Sequence, residues 1–296
     1  MQYSAKAVAG RGEAKSFKRR LWLEGWKRLR KQRTAMIGLA VVLFFILIGL
    51  LAPLLTSHPF DGFNPEKTLI PPNADHWFGT DDQGRDIFSR ILYGARISLW
   101  IGFFSVIGSI IVGCLLGLVA GFYGKWADSI ISRFFDVMLA FPSILLAIAI
   151  VAILGPSLFN ALIAIAIINI PTYGRLIRSR VLSVKEEEYI MSAKAIGMSN
   201  SRILFLHILP NSITPIIVQG TLGIATAILE AAALGFLGLG AQPGEPEWGK
   251  MLADSRQFLT VAPWTLLFPG FAIMVTVIGF NMFGDGLRDA LDPKMK

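Results

Sequence analysis

Six apolar runs constrain this chain more than any other feature. They cover roughly residues 35–55, 97–121, 130–154, 158–171, 213–239 and 264–283 of the 296-residue sequence. About 20 consecutive apolar residues cross the hydrocarbon core of a bilayer, and backbone groups there must be satisfied within the segment. The runs therefore predict an all-α fold, a polytopic membrane protein with six transmembrane helices. The fourth run is short, and reaches spanning length if it continues through 173–177 with Arg175 snorkelling to the interface. Only 16% of the residues are charged, against about a quarter in soluble domains. The first run is too long for a cleavable signal peptide and follows a basic tail of over thirty residues.

The net charge of +8 does not point to nucleic acid, because eleven of the 28 Lys and Arg residues lie in the first 33 positions. With the N-terminus inside, 22 Lys and Arg fall on the inner side. Six fall on the outer side: Lys67, Arg85, Arg90, Arg96, Lys250 and Arg256. Positive charge concentrates in the cytosol, so both termini and the segment 188–211 are expected there. The chain divides into a cytosolic tail at 1–34, a first transmembrane helix at 35–55, an external loop at 56–96 and a five-helix core at 97–296. In the tail, 16–33 places Phe17, Leu21, Trp22, Trp26 and Leu29 near one helical face. That pattern predicts an amphipathic helix on the inner leaflet. The other reading is a disordered basic tail interrupted at Gly25.

The second run carries Ser105, Ser109, Gly113, Gly117 and Gly121, each four residues after the last. A stripe of small residues lets a neighbouring helix approach closely; the sequence does not say which helix. Cys114, the single cysteine, can form neither an internal disulfide nor a thiolate cluster and reads as a packing residue.

No residue pattern supports catalysis, a cofactor or a metal. His58 and His76 fall on the outer side and His207 on the inner, so the three cannot share one site. The stretch 244–251, GEPEWGKM, resembles a phosphate-binding loop until its last position, where Met251 stands for Ser or Thr. Asp81, Asp82 and Asp86 lack the spacing of a calcium loop. Glu230 lies within the fifth run. An ionisable group there is a candidate functional residue, or a carboxyl hydrogen-bonded to a helix partner. A secondary transporter needs more such groups for ion coupling.

The segment 188–211, EYIMSAKAIGMSNSRILFLHILPN, is helix-prone and charged between apolar runs. Ser183 and Glu186 have the spacing of a capping box, which starts a helix near Val184. Gly197 can end that helix in a left-handed conformation. Ser199 or Asn200 can cap a second helix that ends near Leu209, before Pro210. The expected result is a helix–turn–helix knob. Tyr189, Ile190, Ala193 and Ile196 form one surface, and Glu187, Glu188 and Lys194 another. Such a knob can fill a partner's groove.

The segment resembles the EAA loop of ABC importer permeases. Gly197, Leu209 and Pro210 match in spacing. Of the Glu-Ala-Ala positions, read here as Met191, Ser192 and Ala193, the last matches. His207 stands where the general motif has isoleucine, and His207 to Asn211 looks like the version in dipeptide and oligopeptide permeases. The stretch 76–99, HWFGTDDQGRDIFSRILYGARISL, is similar to the signature before the second span in C-type subunits of dipeptide, oligopeptide and nickel permeases. The resemblance implies a MetI-like permease core in a bacterial or archaeal cytoplasmic membrane. It implies a heterodimer with a second related permease subunit, two cytosolic ABC ATPase subunits that supply hydrolysis, and an external solute-binding protein. It places the ATPase-coupling contact at Glu188, Tyr189, Ser192, Ala193, Ala195 and Gly197, with Leu209 and Pro210 closing the segment. The loops at 75–90 and 242–258 become candidate contacts for the binding protein. Dipeptides or oligopeptides are the implied cargo, with nickel or a glutathione-like solute as alternatives. The competing class is an ion-coupled peptide transporter acting alone.

Overall fold

The computed structural model describes residues 26–291. Residues 26–31 are helical, and after them come α1 (Arg33–Leu55), α2 (Ile87–Tyr123), α3 (Lys125–Ala140), α4 (Ser143–Leu154), α5 (Leu158–Lys185), α6 (Glu188–Ala195), α7 (Asn200–Phe236), α8 (Trp248–Ser255) and α9 (Trp264–Leu291). Among the described residues no strand forms. Five helices (α1, α2, α5, α7 and α9) are long and apolar enough to cross a membrane, and α3 with α4 makes a sixth if the bent pair is one span.

The run 130–154 is thus two helices with a sharp bend between them. α3 and α4 meet at 94°, with Phe141 extended at φ −93°, ψ 141° and Pro142 leading α4. Proline has no N–H to donate and drives the preceding residue out of the helical region. Three other boundaries also move. α2 starts at Ile87, so residues 87–96 are helical rather than loop; the Asp86 carboxylate caps it, accepting from the Ser89 N–H at 2.7 Å. α5 runs through Pro171 to Lys185 and contains Ser183. The capping box therefore does not form: Glu186 is the C-cap of α5, and Glu187 is the N-cap of α6. The helix after Ser199 does not stop before Pro210. It widens into a π turn over Leu204–Ile208, where the Leu209 N–H bonds to the Leu204 carbonyl, and continues as the fifth span. The wider turn accommodates a residue that cannot donate and whose ring crowds the carbonyl of the preceding turn.

The small-residue stripe of α2 faces α5 of the same chain. A Cβ at Gly113 would lie 2.7 Å from the Ile170 carbonyl oxygen, one at Gly121 2.8 Å from the Val181 side chain, and one at Gly117 would collide with the Gly174 carbonyl. Ser109 Oγ donates to the Ala166 carbonyl at 2.8 Å, while Ser105 Oγ donates to Gly102 within α2 at 3.1 Å. Helices packed this closely associate through van der Waals contact rather than hydrophobicity. α3 is clamped to α5 by Arg178–Asp128 and by Arg175–Asp136 at 2.5 Å, and the Phe135 ring lies against Gly174.

α6 stands at one end of the bundle. At the opposite end, residues 56–86 and 237–263 fold over the helix termini. Arg90, only 1% exposed, ties these two segments together. Its guanidinium donates to the carbonyls of Phe60 at 3.0 Å, Gly244 at 3.2 Å and Glu245 at 3.3 Å. Trp248 Nε1 donates to the Ile91 carbonyl at 3.1 Å, and the Phe78 and Phe268 rings stack at 4.0 Å. The outer flanks carry large exposed apolar side chains, among them Phe44, Leu50, Leu54 and Ile153, as a surface facing hydrocarbon requires. Of the predicted tail helix, Phe17, Leu21 and Trp22 lie outside the described residues. Trp26 is exposed, and Leu29 packs on Ala35 and Ala290 instead of lipid.

Candidate functional site

α6 is anchored by two side chains on one face. Ile190 and Ala193, three residues apart and so neighbours on a helix surface, are buried in a cluster with Phe122, Ile177, Val181, Ile203 and Ile208. The single apolar surface read from the sequence is thereby split. Ile190 and Ala193 turn inward, while Tyr189 and Ile196 stay outside with Glu187, Glu188, Met191, Ser192, Lys194 and Ala195. Phe205 and Leu206 of the π turn are also exposed. The outer face is therefore an acidic helix start bordered by apolar side chains.

Gly197 closes α6 in a Schellman arrangement. Its φ is +79°. Its N–H reaches the Lys194 carbonyl at 3.0 Å, and the Met198 N–H reaches the Ala193 carbonyl at 3.1 Å. A residue with a Cβ resists this φ, which is why glycine usually stands here. Met198 packs into the same apolar cluster as Ala193, so the turn is fixed on both sides.

Two contacts link the outside of α6 to the spans. The Lys194 ammonium lies 5.7 Å from the Phe122 ring centroid at the end of α2, a cation–π distance. The Tyr189 hydroxyl accepts from the Asn211 side-chain amide at 3.2 Å, and that amide also donates to the His207 carbonyl at 2.6 Å. Burial, then the Glu187 charge, raise the Tyr189 phenol pKa, so the hydroxyl keeps its proton at neutral pH. Leu209 and Pro210, half-buried, sit between these contacts and the body of α7. Phe122 carries no signal in the sequence, and Asn211, the last residue of the peptide-permease motif, carries none for its contact with Tyr189.

Glu230 belongs to a different place in the molecule. From α7 it accepts a 2.8 Å hydrogen bond from Asn169 of α5, whose amide also donates to the Ile165 carbonyl at 3.0 Å. The signal for Asn169 in the sequence is an amide deep in an apolar run, where Asn160 is the other.

At the end opposite α6, the structure gathers residues that the sequence scattered. His58, Asp75 and His76 offer ligand-type atoms that all lie within 4.8 Å of one another. Lys67 donates to Asp75 at 2.9 Å and holds that carboxyl below its usual range. His207 is elsewhere, within the π turn. The aspartates of 80–86 lock their own loop: Asp81 accepts from the Arg85 side chain at 2.7 Å and from the Gln83 and Arg85 N–H groups at 2.9 Å. In the stretch that mimics a phosphate loop, Glu247 takes the place of an anion. Its carboxylate accepts from the Gly249 and Lys250 N–H groups at 2.8 and 2.7 Å. Burial pushes its pKa up to about 7, against the opposing pull of those two donors.

The profile of the family described as binding-protein-dependent transport system inner membrane component matches residues 113–296. The chain belongs to that family. A second profile, the N-terminal TM domain of oligopeptide transport permease C, matches residues 20–72. The permease is 68% identical to a dipeptide transport system permease protein of Alkalihalophilus pseudofirmus over 93% of this chain and 90% of that one. It is 48% identical to a glutathione transport system permease protein of Pectobacterium atrosepticum, over 93% and 92% of the two chains. A dipeptide permease of Haemophilus influenzae is also 48% identical, over 92% and 95%. A chain of the MetNI methionine ABC transporter, from its inward-facing conformations, superposes with a TM-score of 0.55 at 17% identity. It covers 69% of this permease and 96% of its own length. That likeness is one of fold. Helix α6, the π turn, Asn169 and Glu230 all lie inside the family match, so the permease is a multi-pass inner-membrane transport component.

Proposed function

We propose that this permease carries dipeptides across the membrane as one subunit of an ATP-driven importer, with α6 as the handle gripped by a partner ATPase. The observation that carries this reading is the double attachment of α6. Ile190 and Ala193 root it among α2, α5 and α7, while Tyr189 ties its exposed face to Asn211 of α7. A push on Glu188, Tyr189, Ser192, Ala195 or Gly197 thus loads three spans together. In this reading α6 and both termini are cytosolic, as the distribution of Lys and Arg supports. A second permease subunit completes the path, and a solute-binding protein docks on the segments 75–90 and 242–258 that Arg90 draws together. Glu230, held by Asn169, supplies a carboxylate for a solute ammonium group passing α5 and α7. Hydrolysis belongs to two partner ATPases.

Dipeptide is the first choice because the relative at 68% identity is a dipeptide permease. The relatives of the glutathione system at 48% identity favour a glutathione-like solute as the second. Reconstitution of the permease with its partner subunits and binding protein in proteoliposomes tests both. Uptake of labelled dipeptide should require ATP and be competed weakly by glutathione. Uptake by the chain alone under a proton gradient would overturn the importer reading in favour of an ion-coupled transporter.

A further inference from the structure

We propose that His58, Asp75 and His76 form a binding site for one divalent transition-metal cation of the Zn²⁺ class, at the end of the bundle opposite α6. Three independent features of the side-chain geometry carry this.

The first is the orientation of His76. Its Nδ1 lies 2.9 Å from Asp86 Oδ1, and both side chains are buried. A carboxylate accepts, so Nδ1 is the nitrogen that donates to Asp86, and Nε2 is the one turned toward Asp75 and able to ligate in the neutral ring. A carboxylate behind the far nitrogen of an imidazole is the usual support of a metal-ligating histidine. Asp86 is itself fixed, because its other oxygen caps α2 at Ser89. The loop is equally fixed on the near side, where Asn73 Oδ1 accepts from the N–H groups of Asp75 and His76 at 2.8 and 2.9 Å.

The second is spacing. Asp75 Oδ1 lies 3.4 Å from His58 Nε2 and its other oxygen, Oδ2, 3.5 Å from His76 Nε2; one ligand atom from each of the three residues lies within 4.8 Å of the others, so a bound ion would draw them together. Tetrahedral zinc with bonds of 2.0–2.1 Å places its ligand atoms about 3.3–3.4 Å apart. Two imidazoles and one carboxylate are the donor set of an open zinc site, with water in the fourth position. His58 Nε2 also lies 3.1 Å from the Asp75 carbonyl oxygen. The His58 tautomer with its proton on Nδ1 presents Nε2 for ligation.

The third is that a cation already stands there. The Lys67 ammonium lies 2.9 Å from Asp75 Oδ2 and 3.4 Å from His76 Nε2. It is a monovalent charge on a flexible, partly exposed stem. A divalent ion bound by the same two groups must displace it, so Lys67 is a built-in competitor rather than a ligand. Bound metal would staple the segment after α1 to the N-cap of α2.

The test uses the permease purified with its partner subunits in nanodiscs and stripped with a chelator. Zn²⁺ affinity is read by calorimetry and site geometry by the visible spectrum of Co²⁺. His58→Gln removes a ligand at a part-exposed position and leaves the buried His76–Asp86 pair intact. It should weaken Zn²⁺ binding about tenfold or more and abolish the tetrahedral Co²⁺ bands. Lys67→Ala should tighten binding. Equal Zn²⁺ affinity in wild type and His58→Gln would overturn the proposal, and so would weaker binding in Lys67→Ala.

Discussion

The Tyr189 hydroxyl on α6 accepts a 3.2 Å hydrogen bond from the side chain of Asn211, one residue beyond the proline that follows the π turn of α7. This bond joins the exposed face of the short helix to a span that also holds Glu230. Neutral hydrogen bonds contribute about 0.5–1.5 kcal/mol net. Tyr189→Phe and Asn211→Ala should each leave assembly intact while lowering solute moved per ATP hydrolysed. The double mutant should be little worse than Asn211→Ala alone, which loses the bond to Tyr189 and also the one to the His207 carbonyl. Additive losses in that cycle would show that the two side chains act separately.

Gly197 makes a graded prediction. Its φ of +79° is open to glycine, tolerable for asparagine and costly for other residues, by about 1–2 kcal/mol. No neighbouring atom would touch an added Cβ, so backbone strain alone sets the order. Proline also fixes φ near −65° and removes the N–H that bonds to Lys194. ATP-driven uptake should fall in the order wild type, Gly197→Asn, Gly197→Ala, Gly197→Pro. A ranking by side-chain size instead would contradict this account.

The contact of α2 with α5 predicts a loss of stability. A Cβ at Gly117 would press on the Gly174 carbonyl, whereas one at Gly108 meets only the Ala166 methyl at 3.3 Å. Overpacking of this kind costs about 1–3 kcal/mol. Gly117→Ala should lower the unfolding temperature of the detergent-solubilised subunit by several degrees, with Gly108→Ala near wild type. Equal unfolding temperatures would mean that the two helices separate freely.

Glu247 predicts a pH effect outside the spans. Its folded-state pKa of about 7 stands above the usual 4.5. The folded carboxyl therefore keeps a proton that the unfolded one has released. Its contribution is full below about pH 4.5 and lost as pH rises through 7. The span of the effect is about 3 kcal/mol. Glu247→Gln, which can still accept from the Gly249 N–H, should flatten the decline in stability between pH 5 and pH 8. An unchanged slope would place the titrating group elsewhere.

Much of this fold was legible because lipid imposes it: an apolar run of spanning length has few alternatives to a helix. The errors cluster at prolines. Pro142 breaks the continuous run 130–154, Pro171 lies inside a helix that runs past 177 to Lys185, and Pro210 lies inside one expected to end before it. Proline marks a place where the backbone must adapt, and the packing around it decides whether it bends, widens or runs on. Gly197 was legible because a left-handed helix end depends on local conformation alone. The inward turn of Ile190 and Ala193 was not, because it depends on where α2 and α5 lie. Sequence sidedness put His58 and His76 on one face, but their meeting at Asp75 depends on the loop path set by Asn73 and Asp86.

The most direct test of the proposed coupling role of α6 is the ratio of dipeptide taken up to ATP hydrolysed, measured in proteoliposomes for Glu188→Lys. Glu188 opens α6 on its exposed side, where a reversed charge disturbs a partner's grip and leaves Ile190 and Ala193 in place. The account predicts an assembled complex that still hydrolyses ATP but imports at least about tenfold less solute, a coupling loss of about 1.4 kcal/mol or more. Uptake and hydrolysis both at wild-type levels in Glu188→Lys would contradict it.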